Sequence, residues 1–189
     1  MSKHHRNRNW APAPQPLPED AHVIDNHTHV ASVVPFSQAM SHEAMEKGQG
    51  EVPVYSVDEL LEQAQKVGVE GVIDCGCELP NLMTAIDMAR EHPGTVHAAI
   101  AIHPNEAVLH GHRGAPGPDG LPIKYKPWHD IPFDEAMAEV HRLATTYPNQ
   151  VVAIGETGMD LFRTGESAKE LQREAFRAHV ALAKELNLP

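Results

Sequence analysis

The stretch Val23-Ile24-Asp25-Asn26-His27-Thr28-His29 decides how the rest of the chain is read. A short apolar run ends in two histidines at i and i+2. Side chains of an extended strand alternate between its faces, so Asp25, His27 and His29 fall together on one of them. Two imidazoles projecting side by side from the C-terminal end of a strand make half of a metal site. The same spacing also suits two hydrogen-bonded core histidines, so the rest of the chain must supply the partners.

Beyond that strand, apolar runs alternate with helical periodicity. A polar loop is predicted after residue 29. Residues 57–68 (VDELLEQAQKVG) then carry apolar residues at helical spacing, acids at Asp58 and Glu59 in the first turn, and a closing Gly68. The apolar run GVIDCGC (71–77) precedes the helix pattern LPNLMTAIDMAREHPG (79–94), and the run TVHAAIAIHP (95–104) follows it. Residues 104–132 form a long insertion rich in Pro, Gly and His, without periodicity. After it come the helix pattern FDEAMAEVHRLATTYP (133–148), the run NQVVAIGETG (149–158) and a long amphipathic helix over 167–187.

Four apolar runs alternating with four helices predict an α/β fold of βαβ units on a parallel sheet. Nearly continuous apolar runs suit strands covered on both faces. In such folds the carboxyl ends of the strands form the rim that bears the site. His27, His29, His103 and Glu156 all fall there. Glu156 is a carboxylate with no cation near it in sequence, the complement that the two histidines need.

Composition agrees with a globular domain, at 41% hydrophobic and 22% charged residues. The net charge of −11 with histidines neutral argues against binding polyanions by bulk charge, so a nuclease of this balance would depend on bound cations and a local basic patch. The only two cysteines, Cys75 and Cys77, share a strand face where a disulfide between them would be strained. They read as small buried thiols in a reducing cytoplasm. No signal peptide and no run of 18 apolar residues is present, so no membrane association is expected. Residues 1–20, with four prolines and the basic pair Arg6 and Arg8, are expected to be a disordered N-terminal arm.

Three blocks resemble the TatD family of metal-dependent deoxyribonucleases, within the amidohydrolase-like barrel group. IDNHTH (24–29) is similar to its Asp-x-His-x-His strand. AIAIHPNEA (99–107) is similar to its Gly-Ile-His-Pro segment, with Ala101 where glycine is usual. VVAIGETGMDLFR (151–163) is similar to its Gly-Glu-x-Gly-Leu-Asp block, with Met159 in place of leucine. The blocks stand in family order, and the helix at 171–189 resembles the one that follows them.

The resemblance implies that His27 and His29 ligate one metal, and that Glu156 is a ligand bridging two divalent ions (Mg, Mn or Zn not distinguished). It places His103 near the scissile phosphate and Arg163 on substrate phosphate. Asp25 is expected to orient a histidine and Asp160 to brace its loop. The implied function is a divalent-metal-dependent hydrolase, a DNA phosphodiesterase that trims 3′ ends in the complete protein.

A complete barrel takes about 250 residues and eight strands. Residues 21–189 are therefore expected to be the N-terminal half of a (β/α)8 TIM-type barrel, C-terminally truncated. In the family, a fifth and a sixth strand bring further histidine ligands, and an aspartate near the last strand completes the site; none has a counterpart here. The two open sheet edges and the uncovered inner face leave self-association as one way to cover them, with a fragment of a longer protein the favoured reading and the oligomeric state not fixed by the sequence. Two other readings share the ligand pair: an amidohydrolase acting on a small ester, amide or lactone, and a catalytically incomplete, non-enzymatic fragment.

Overall fold

The computed structural model describes residues 16–48 and 53–189. Most of the N-terminal arm, including Arg6 and Arg8, lies outside them. The described part begins beside the domain, where the Leu17 N–H donates to the Val67 carbonyl at 2.8 Å.

Four parallel strands form one sheet in the order β1-β2-β3-β4: β1 (Val23–Thr28), β2 (Val69–Gly76), β3 (Val96–Ile100) and β4 (Val151–Ala153). Every connection between them carries helix, as parallel pairing demands. The helices are α1 (Val30–Glu46), α2 (Val57–Lys66), α3 (Leu79–Glu91), the single turn α4 (Pro104–Ala107), α5 (Phe133–Thr146) and α6 (Lys169–Leu186). This is the partial (β/α)4 half-barrel expected from the alternating pattern. Among the described residues, no helix is long and apolar enough to cross a membrane.

The core lies where α3, α5 and α6 cover the middle of the sheet. Leu82, Ile86, Val140, Leu143, Ile100 and Ile102 are all but fully buried there. β3 is the central element of this packing, and its run of small and β-branched residues fits a strand covered on both faces. β1 differs from that expectation. It is an edge strand with one neighbour, and Ile24 is 57% exposed.

The segment after His29 also departs from its sequence reading. The expected polar loop is the 17-residue helix α1 with Pro35 inside it. His29 stands at its N-cap and gives no side-chain cap. The cap comes instead from Asp74 on β2, whose Oδ1 accepts the Val30 N–H. Burial raises the Asp74 carboxyl above its ordinary range, although the Val30 and Ala31 N–H groups and nearby His29 oppose that rise. By contrast α2 is capped locally. Ser56 and Glu59 form a reciprocal capping box, and Gly68 takes the left-handed conformation after the helix (φ 96°).

His179 ties α6 to the end of β3. Its Nδ1 donates to the Ala175 carbonyl at 2.7 Å, and its Nε2 accepts the Ile102 N–H at 3.0 Å. Burial lowers its pKa, against the opposing effect of the Ala175 bond. His110, in the insertion, is lowered by burial too. Its Nδ1 bonds the Ile131 carbonyl at 2.8 Å, and its Nε2 has no hydrogen-bond partner among the described residues. Both histidines therefore resist protonation when folded. Below the ordinary imidazole value of 6.5 the unfolded chain takes up protons that the folded chain refuses, so stability is full above that pH and falls as the solution is acidified. The expected result is a melting temperature that declines from pH 7.5 to 5.5, with a shallower decline in His179→Gln. A flat profile would contradict this assignment.

Candidate metal centre

The rim residues converge on Glu156. Its Oε2 lies 3.2 Å from His27 Nε2 and 3.9 Å from His29 Nε2, and its Oε1 lies 3.4 Å from His103 Nε2. The His27 and His29 rings meet edge to face, with centroids 5.3 Å apart. Three histidines, the farthest 129 positions from Glu156, thus converge on its one carboxylate. The sheet brings them together: His27 is in β1, His29 one residue past it, and His103 and Glu156 each three residues past the ends of β3 and β4. Those two strands end sooner than their apolar runs do, so both residues stand on rim loops. The Gly155–Glu156 peptide is cis.

His27, His29 and Glu156 each offer one ligand atom, all within 4.8 Å of one another. Donors at about 2.0–2.2 Å from a common ion fit such a spacing. Hydrogen bonds to the other ring nitrogens decide what each imidazole can do. His29 Nδ1 faces the Cys75 carbonyl at 3.2 Å, so it carries the proton and leaves Nε2 as a lone-pair donor toward Glu156. His103 is reversed. Its Nδ1 accepts the Asn105 N–H at 3.1 Å, so the neutral ring holds its proton on Nε2 and donates. The donor set fits a divalent ion on His27, His29 and Glu156, with His103 as a hydrogen-bond donor beside it.

The supporting contacts refine the sequence reading. Asp25 Oδ1 accepts the His27 backbone N–H at 3.2 Å and so steadies the strand end rather than an imidazole. Asp160 braces its loop. It accepts the Phe162 N–H at 2.9 Å and the Asn105 side-chain amide at 2.7 Å, and its backbone pairs with Gln172. Burial alone would raise the Asp160 carboxyl, but those bonds, the Arg163 N–H and the charge of His103 outweigh it and lower the pKa. Arg163 is exposed and does not join the cluster. It lines a neighbouring cleft with Asn105 and Lys124.

Two residues of the centre escaped the sequence reading. The Cys77 thiol lies 3.5 Å from Glu156 Oε2 and donates to it. Burial, first, and the adjacent Glu156 charge push that thiol up to about 12, so without a metal it remains protonated. Its signal was its position just past the end of β2, equivalent to those of the other rim residues. Asp74 is the second, a buried acid inside an apolar run, a pattern that asks for a partner.

The 104–132 insertion is held together by a knot centred on Glu106. Glu106 Oε2 is 2.7 Å from His129 Nε2 and accepts the Trp128 indole N–H at 3.2 Å. Burial, and then repulsion from Glu106, raise the Glu78 carboxyl, which lies just after β2. Glu106, Lys126 and His129 of the insertion are thus close enough to Glu78 for their charges to be felt there.

Two histidines from one strand end, a glutamate from another and the parallel sheet beneath them define the class of the site: a candidate divalent-metal centre on the carboxyl rim of a β/α half-barrel. Residues 24–189 match the family model described as TatD related DNase, and the chain belongs to that family. It is similar to the uncharacterized metal-dependent hydrolase YabD of Bacillus subtilis, 32% identical over 133 residues, covering 70% of this chain and 42% of YabD. It is also similar to the 3′-5′ ssDNA/RNA exonuclease TatD of Erwinia tasmaniensis, 32% identical over 132 residues, covering 70% of this chain and 41% of that protein. Less than half the length of these curated relatives is spanned. Among solved structures, the fold is similar to YJJV, a TatD homologue from Escherichia coli K12 (TM-score 0.56, 23% identity, 88% of this chain and 48% of that one). A TatD family hydrolase from Entamoeba histolytica gives a TM-score of 0.57 at 20% identity, over 87% of this chain and 46% of that one.

Proposed function

We propose that this chain supplies the first half of a divalent-metal phosphodiesterase centre acting on the 3′ ends of DNA. The observation that carries the reading is the convergence of His27, His29 and His103 on the two oxygens of Glu156. His27 and His29 would hold one ion, and Glu156 would bridge it to a second. When bound, such ions polarise a phosphoryl oxygen and supply a water-derived nucleophile near neutral pH.

The chain's own residues supply orientation and hydrogen bonding. The Cys75 carbonyl fixes the His29 ring, so its Nε2 is presented without reorganisation. His103 keeps a proton on Nε2, available to a phosphate oxygen. The Arg163 guanidinium, free of any ion pair among the described residues, offers a fork that suits phosphate. The related exonuclease from Erwinia supports a nucleic-acid end as the substrate. The free thiols of Cys75 and Cys77 suit a reducing cytoplasm.

The test is digestion of a 5′-labelled single-stranded oligonucleotide with Mn2+ by the complete protein, in which further strands supply the remaining ligands. Progressive shortening from the 3′ end is expected, abolished by chelator and restored by added metal. An oligonucleotide left intact in the presence of bound metal would overturn the reading.

A further inference from the structure

The carboxyl end of β2 supplies none of the ligands His27, His29 and Glu156, yet it supports the residues around the centre. The Cys75 carbonyl faces His29 Nδ1 at 3.2 Å, and the Cys77 carbonyl accepts the His103 backbone N–H at 2.9 Å. The Cys77 thiol donates to Glu156 Oε2 at 3.5 Å. Thr28, between the two histidine ligands, donates its hydroxyl to the Ile73 carbonyl at 2.9 Å. One strand end thus holds parts of β1, of the loop after β3 and of the loop after β4.

Glu156 needs such support more than its neighbours do. It stands on a loop three residues past β4, with a side chain that is 31% exposed, and fixing a glutamate costs rotamer entropy. His27 and His29 cannot hold it in a state ready for metal, because their Nε2 atoms must then turn lone pairs, not protons, toward the ion. Two donors remain on the carboxylate among the described residues. His103 Nε2 lies 3.4 Å from Oε1, and the Cys77 thiol lies on Oε2, the oxygen that faces both histidine ligands.

The thiol has two acceptors within reach, and the carboxylate is the better one. The Cys75 carbonyl is farther away, at 3.7 Å, is neutral, and is already engaged by His29. Glu156 Oε2 is nearer, and an ionised acceptor makes the stronger bond. An ionised carboxylate has about four lone-pair sites on its two oxygens, so the thiol and an ion can share Oε2. A thiol is also a weak donor. It aligns the carboxylate while leaving it free to bind a cation.

We propose that Cys77 is a positioning residue of the metal centre, whose S–H holds Glu156 Oε2 toward His27 and His29 so that the three ligand atoms are already gathered when an ion arrives. The role rests on the reading of those three residues as metal ligands. Cys77 acts through Glu156 and is not itself a ligand, so its loss lowers metal affinity without removing a donor from the ion.

The test combines Mn2+ titration with two spectroscopic measurements. Cys77→Ala is expected to weaken Mn2+ binding by about tenfold, the lower end of the range for a partner of a metal ligand. Cys77→Ser, which restores an O–H donor, is expected to recover most of that loss, whereas a role confined to packing would leave Ser no better than Ala. The chain has two cysteines, so the infrared S–H stretching region of the protein with chelator present should hold two bands. The band at lower frequency is expected to vanish in Cys77→Ser and to move to higher frequency in Glu156→Ala. With Co2+ bound, no thiolate-to-cobalt charge-transfer band is expected; its appearance would make Cys77 a ligand and overturn the positioning role. Wild-type Mn2+ affinity in Cys77→Ala, or an S–H band indifferent to Glu156→Ala, would overturn it too. Absence of Mn2+ binding in every form, with the infrared differences intact, would instead count against the metal reading.

Discussion

Replacing Glu156 by Ala is expected to produce the largest functional loss of any single substitution. Its two oxygens receive His27, His29, His103 and the Cys77 thiol, so one change removes the group that all four share. Loss of an indirect partner of a metal ligand already costs about 10–100-fold in affinity; loss of a ligand should cost at least about 100-fold. In the complete protein, turnover should fall by about a thousandfold, or roughly 4 kcal/mol of barrier. The fold should survive, because Glu156 stands on a rim loop outside the apolar core. Calorimetric metal titration, phosphodiester turnover and a melting curve on the same preparation check this. Unchanged turnover with an unchanged melting curve would remove Glu156 from the centre.

The largest stability loss is expected from Ile100→Ala. Ile100 is fully buried at the end of β3, where α3 and α6 pack near the sheet, and its carbonyl accepts the Gly155 N–H at 3.3 Å. Truncating a buried isoleucine costs about 2–5 kcal/mol, from lost transfer energy and the cavity left behind. In a domain of this size that lowers the melting temperature by on the order of 10 °C. Ile24→Ala is the informative companion. The same residue type in a similar apolar run is 57% exposed on the edge strand β1, so its loss should stay within about 0.5 kcal/mol. Thermal or urea melts of the pair check the difference. Equal losses would contradict the placement of the core over β3.

What could be read in the sequence and what could not divides along the range of the interactions. The period of two in β1 placed His27 and His29 on one face, and the end of each apolar run placed His103 and Glu156 on the rim. These are local signals. α2 was legible because Ser56, Glu59 and Gly68 cap it from within its own sequence. α1 was not, because its capping oxygen belongs to Asp74, 44 residues away, and Pro35 reads as a breaker. The insertion showed no periodicity because Glu106, Trp128 and His129 hold it through side chains distant in sequence. Cys77 was read as a small buried thiol, since only the sheet reveals that it faces Glu156.

The exposed strand β1 and its open edge also carry a consequence. Val23 and Ile24 stand uncovered on a strand with unpaired backbone groups, a template for pairing with another chain.

The central claim is that His27, His29 and Glu156 hold a divalent ion, and Mn2+ titration followed by electron paramagnetic resonance tests it most directly. The free-ion signal should be withdrawn saturably by the purified protein, with affinity at least about 100-fold above that of His27→Ala/His29→Ala/Glu156→Ala. Superimposable titration curves for the two proteins would contradict it.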